Sequence, residues 1–171
     1  MANDNVLPFE RRAAPVPPAD FDVPGALARC RAMLAALDGY GLADEVAEAC
    51  VMMLLVNLHD LLQRARALGQ ALVFTEQVEP LGEVGNITEL IAACRNAACH
   101  VWGRRRSDGV DGSKAFHFHR IAGYCPRAFE VDGRMLGCDY HDDAAVYYGH
   151  HRLYLKRHAA RALAELERLF G

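Results

Sequence analysis

The sequence predicts a mainly α fold: a four-helix bundle with a small β insert between the third and fourth helices. Three observations predict it. Apolar residues recur at helical spacing in four separate segments. Between the third and fourth of these the character changes to alternating residues broken by glycines. Hydrophobic residues make up 52% of the 171 positions and charged residues 24%, enough apolar surface for one real core.

Residues 1–22 read as a mobile arm. Pro15-Val16-Pro17-Pro18 cannot donate the backbone bonds of a helix or sheet and favours extended conformations. Residues 23–171 then form one helical-bundle domain, with the β insert at about 104–151. The first helix is predicted from about Pro24 to Leu37. Proline suits a first turn, and Leu27, Cys30, Leu34 and Leu37 share a face. Asp38-Gly39-Tyr40-Gly41 ends it. The second helix is predicted from about Asp44 to Leu68. Val46, Cys50, Met53, Leu54, Leu58, Leu61, Leu62, Ala65 and Leu68 lie at helical spacing, and Val51, Met52, Leu55 and Val56 widen the stripe. So broad an apolar surface marks the central, most buried element.

Ala71 to Thr75 reads as a short strand. The third helix has the strongest start signal: Asn86 as cap, with Glu89 three residues on, a capping-box arrangement. Ile87, Leu90, Ile91, Cys94, Ala98 and Val101 form its inner face, and Gly103 stops it. Phe116 to Ile121 alternates and reads as a strand, as does Ala144 to Tyr148, turning at Gly149. The last helix is predicted from about Leu153 to Phe170, with Leu155, Ala159, Leu163, Leu166 and Phe170 inward.

Composition narrows the function. A net charge of −3 leaves no global nucleic-acid footprint, so any RNA contact needs a local basic patch. No apolar run approaches the roughly 18–20 residues that span a bilayer. Met1 to Pro18 lacks an apolar signal core, so no membrane partner and a cytoplasmic location are expected. The six cysteines are then expected as thiols, with Cys30, Cys50 and Cys94 filling the core. No phosphate loop, dinucleotide-binding glycine run or nucleophile elbow is present, and no cofactor is expected.

The third helix carries Arg95-Asn96-Ala97-Ala98-Cys99-His100. Similar arginine-to-histidine spacings recur at Arg134–His141 and Arg152–His158. In the first segment alone the arginine is followed by Asn, inside a capped amphipathic helix. Five residues at about 100° each place Arg95 and His100 roughly 140° apart around the axis. Asn96 and His100 share a face at i and i+4. Arg104, Arg105 and Arg106 follow closely, a basic run suited to an RNA backbone.

At Arg95, Asn96 and His100 the chain resembles the HEPN superfamily, whose signature is Arg, commonly a polar residue such as Asn, and His after four to six residues. The resemblance implies a small helical bundle, a homodimer, and a metal-independent endoribonuclease of toxin or defence type. The 2′-hydroxyl would attack the adjacent phosphate, with His100 moving a proton and Arg95 holding phosphate charge. It also implies an antitoxin-type protein partner. Trp102 stands where one toxin subgroup has a modifiable tyrosine, so control through that tyrosine is not expected. A non-catalytic interaction or assembly module on the same scaffold is the alternative.

A rival chemistry lies in the insert. His117 and His119 are i and i+2 on a presumed strand and point to one face. Cys125, Cys138 and His141 would complete a zinc site, although no tight zinc spacing is present. Tyr147, Tyr148 and Tyr154 read as core aromatics.

Overall fold

The structure is a computed structural model that describes residues 21–38, 43–99, 118–131, 133–148 and 150–171. The first helix, α1 (Val23–Asp38), begins where Asp22 Oδ1 accepts the Gly25 N–H at 2.9 Å, a side-chain N-cap. Phe21 packs against the core beside it, so the last two residues of the expected arm belong to the fold. Residues 1–20 lie outside the described residues. α2 (Asp44–Ala67) follows and is the buried central helix the sequence predicts, with Leu54, Leu55, Leu58, Leu61 and Leu62 all buried. α3 (Ile87–Cys99) starts at Asn86, whose Oδ1 accepts the Glu89 N–H at 3.1 Å. Glu89 reaches back one residue further than a standard capping box, to the Gly85 N–H at 2.8 Å.

The chain then builds β1 (Phe118–Ala122), β2 (Cys125–Val131), β3 (Arg134–Cys138), β4 (Ala144–Tyr148) and β5 (His151–Tyr154). A π-helical turn, Leu155–Ala160, leads into α4 (Arg161–Phe170). The strands form two antiparallel sheets, one ordered β1-β4-β5 and one hairpin of β2 and β3.

This corrects the four-helix bundle. Four helices are present among the described residues, but the strands are a structural layer rather than an excursion. β4 is buried along its whole length and divides two cores. Ala144, Val146 and Tyr148 face the helices; Ala145 and Tyr147 face the hairpin, with Ile121, Leu136, Cys138 and Tyr154. That alternation is the two-residue period of a strand covered on both faces. α4 packs on α1 and α2, whereas α3 packs on α2, β4 and β5. The sheet occupies a side of the helical layer that a bundle would close with another helix. A mixed α+β fold results.

Four smaller expectations also change. Ala71 to Thr75 is not a strand: the Phe74 carbonyl accepts the Ile87 N–H at 3.0 Å and the Leu72 carbonyl accepts the Thr88 hydroxyl at 2.5 Å, so this segment bonds to the start of α3. Val46 and Met53 are not inward; they are 49% and 43% exposed, as Leu68 is at 56%. α2 is apolar on more than one side, and its neighbours select the Ala47, Val51 and Leu54 side, where the Tyr148 hydroxyl donates to the Glu48 carbonyl at 3.3 Å. The last helix begins after Leu153 and Tyr154, which pair with Val146 and Ala145 in the sheet. Finally, β2, β3 and β5 go unpredicted.

The hairpin has a large bulge. Cys125 pairs with Cys138 and Phe129 with Leu136, so Pro126, Arg127 and Ala128 stand opposite Gly137 alone. The backbones are so close there that a Cβ on residue 137 would lie 2.6 Å from the Cys125 carbonyl oxygen and nearer still to that of Pro126. The buried Tyr147 hydroxyl replaces the lost ladder bonds. It receives the Gly137 N–H at 3.0 Å and donates to the Gly137 carbonyl at 2.7 Å.

Candidate functional site

α3 carries Arg95 and Asn96 near its end. Cys94 and Leu90 turn into the core, which leaves Asn96 exposed and Arg95 half-buried at the margin. Arg95 Nη1 donates to Asn96 Oδ1 at 3.2 Å, so the two polar groups are held together. Arg95 Nε is buried with no hydrogen-bond partner, and among the described residues no carboxylate pairs with this guanidinium. His100 follows the last described residue of α3. His100, Trp102, Arg104, Arg105, Arg106 and His117 lie outside the described residues.

The two other arginines at similar distance from a histidine are committed elsewhere. Arg134 and Arg152 both form ion pairs with Glu79. Arg152 also binds Asp139 at 2.7 Å, and Asp139 accepts the Tyr154 hydroxyl at 3.0 Å. Arg134 donates to the His150 carbonyl at 2.6 Å. These groups fasten the 79 region to the hairpin and to β5. Their guanidiniums serve the fold.

His158 is likewise internal. It is fully buried in the π-helical turn, and its Nδ1 accepts the Tyr154 N–H at 3.1 Å, so the ring proton resides on Nε2. Burial pushes its pKa down to about 4, so the ring is neutral at neutral pH.

The described zinc candidates do not converge. His119 packs edge-on against Phe129, and His141 stacks on Tyr124 with ring centroids 4.8 Å apart. Cys125 is exposed and Cys138 buried, although they are register partners across the hairpin. Cys138 Sγ points to the carbonyls of Tyr140 and Asp143. Among the described residues no group of three His, Cys, Asp or Glu side chains is arranged to hold a metal ion. All six cysteines are free thiols, with Cys30 and Cys94 buried and Cys50 half-buried. Burial drives the Cys30 and Cys94 thiols up to about 12. Tyr147, Tyr148 and Tyr154 are buried, as expected for core aromatics.

A cleft of about 440 Å³ lies between the end of α1 and the helix-facing side of β1, closed by the 141–144 loop and the π-helical turn. Sequence reasoning missed it. Asp143 organises its floor: Oδ1 accepts the Ala144 and Lys156 N–H groups at 2.7 and 2.8 Å. Oδ2 accepts the Arg157 N–H at 3.0 Å and its Nη1 at 3.1 Å. A carboxylate from a loop thus caps a helix that starts more than ten residues later. No local motif announces such a cap, because cap and helix meet only through the β4–β5 hairpin.

Among the described residues no helix is long and apolar enough to cross a membrane. No protein family, curated protein or solved structure matches this chain.

Proposed function

We propose that the protein is a metal-independent endoribonuclease whose chemistry sits at the end of α3. One observation carries the reading. Of the three arginines at this spacing from a histidine, Arg134 and Arg152 are locked to Glu79, whereas Arg95 has no carboxylate partner among the described residues. A guanidinium held in place by Asn96 with donors still open is suited to a phosphate, whose oxygens accept a two-pronged bond. The likeness of Arg95, Asn96 and His100 to the HEPN motif supports the same assignment.

In this reaction the ribose 2′-oxygen attacks the adjacent phosphorus as its proton passes to a base. The bond from phosphorus to the 5′-oxygen breaks, and that oxygen takes up a proton. The products are a 2′,3′-cyclic phosphate and a 5′-hydroxyl. His100 moves the proton, since imidazole titrates near neutral pH. Arg95 stabilises the charge that builds on the phosphate, and Arg104, Arg105 and Arg106 hold the RNA backbone.

The test is cleavage of a mixed-sequence RNA in excess chelator, with end-group analysis. Wild type should yield cyclic-phosphate ends. His100→Ala should slow cleavage by about 10²–10⁴-fold, and Arg95→Ala by a comparable factor, both with unchanged thermal melts. Intact RNA with wild type, or equal rates in all three proteins, sinks the proposal.

A further inference from the structure

The cleft beside α1 is a separate place, since neither Arg95 nor Asn96 lines it. Its volume of about 440 Å³ falls within the range of small-molecule sites, ~300–1,000 Å³. Leu34, Leu37 and Leu155 give it apolar walls. Among the described residues two cations line it, and one of them has no carboxylate partner. Lys156 pairs with Asp38 at 3.2 Å. Asp142 and Asp143 are both held by Arg157, at 2.9 and 3.1 Å. Arg120 has no carboxylate partner among the described residues.

Arg120 comes from the edge strand β1, on the face opposite His119. Its Nη2 donates to the Leu37 carbonyl at 2.9 Å, which anchors the guanidinium at the end of α1. Its Nε is buried with no partner. With Nε enclosed, a carboxylate entering the cleft meets the guanidinium through its Nη edge. The lining also contains Asp38, Asp142 and Asp143, so a doubly charged anion meets carboxylates with no surplus of positive charge.

We propose that this cleft binds a small monocarboxylate with an apolar body, its carboxylate on the Arg120 guanidinium and its body against Leu34, Leu37 and Leu155. The partner class follows from one unmatched cation, nearby acidic groups and apolar walls. It is independent of the RNA-cleaving assignment.

Calorimetric titration with hexanoate tests it, with inorganic phosphate and 1-hexanol as controls. Hexanoate should bind wild type, and each control should bind at least about tenfold more weakly. Arg120→Gln should weaken hexanoate by about tenfold or more. Because Arg120 also anchors α1, a second variant is needed. Ala35→Leu fills the cleft from an exposed helical position and leaves the guanidinium untouched. It should abolish hexanoate binding at an unchanged melting temperature. The proposal is overturned if hexanoate fails to bind wild type at millimolar concentration, if phosphate or hexanol binds as well, or if Ala35→Leu binds like wild type.

Discussion

Replacing Asp143 by alanine removes one buried carboxylate and strands four donors at once. The side chain has no solvent exposure, and its oxygens receive the backbone N–H groups of Ala144, Lys156 and Arg157 together with Arg157 Nη1. Breaking a buried ion pair by deleting one partner costs about 3–5 kcal/mol. Two features favour the lower end. Arg157 is 27% exposed and keeps Asp142 at 2.9 Å, so its own charge is not abandoned. By contrast, the orphaned Lys156 and Arg157 N–H groups lie at the start of a helix and that of Ala144 at the start of β4, and each unsatisfied donor adds to the penalty. Asp143→Ala should therefore lower stability by about 3 kcal/mol, or about 6–12 °C in Tm for a chain of this length. Urea unfolding followed by circular dichroism is the assay, with a lower midpoint at unchanged slope as the expected signature. Asp143→Asn keeps the volume but turns an amide toward the Arg157 donors, so it should still cost more than about 1 kcal/mol. A loss below about 1 kcal/mol for the alanine variant would refute the cap argument.

Gly137→Ala forces a Cβ into the Cys125–Pro126 backbone and should cost at least about 2 kcal/mol in thermal unfolding; a wild-type melt would show that the bulge relaxes freely. Stability should also fall in mild acid through His158. Its folded pKa of about 4 lies below the unfolded value of 6.5, so the unfolded chain binds the extra proton first. The contribution is fully present above pH 6.5, declines as the pH falls toward 4, and amounts to about 3 kcal/mol in total; His158→Gln should flatten that part of the pH profile. Thiol labelling of the native protein should modify exposed Cys99 and Cys125 well before buried Cys30, Cys94 and Cys138. Mass mapping that finds Cys94 alkylated as fast as Cys125 contradicts the packing of α3.

The helices were legible because each carries its own signal. Asn86 and Glu89 mark the start of α3, and a continuous apolar stripe marks α2. The hairpin carries a local signal too: Asp132-Gly133 joins β2 to β3, and Asp-Gly between extended residues favours a tight two-residue turn. Gly133 takes the positive φ, +77°, that such a turn requires. The boundary of the last helix was not legible. Leu153 and Tyr154 continue a helical apolar pattern, and pairing with β4 together with the Asp143 cap moves the start to Leu155. The Arg95–Asn96 pair was visible as a motif, while the cleft at Arg120 was not. Arg120, Leu37 and Asp143 come from three separated segments and no spacing rule connects them.

By itself, then, the sequence determined the helical segments, the strands at Phe116–Ile121 and Ala144–Tyr148, and the Arg95-Asn96 segment with His100 after it. All of these rest on contacts between residues a few positions apart, and short-range spacing records such contacts. The tertiary structure alone decided that the strands form a buried layer, that α2 turns Val46 and Met53 outward, and which guanidiniums stay unpaired. Those outcomes depend on which distant surface arrives first-hand against each element: a doubly apolar helix or a lone arginine is neutral between alternatives until a neighbour removes water from one of them.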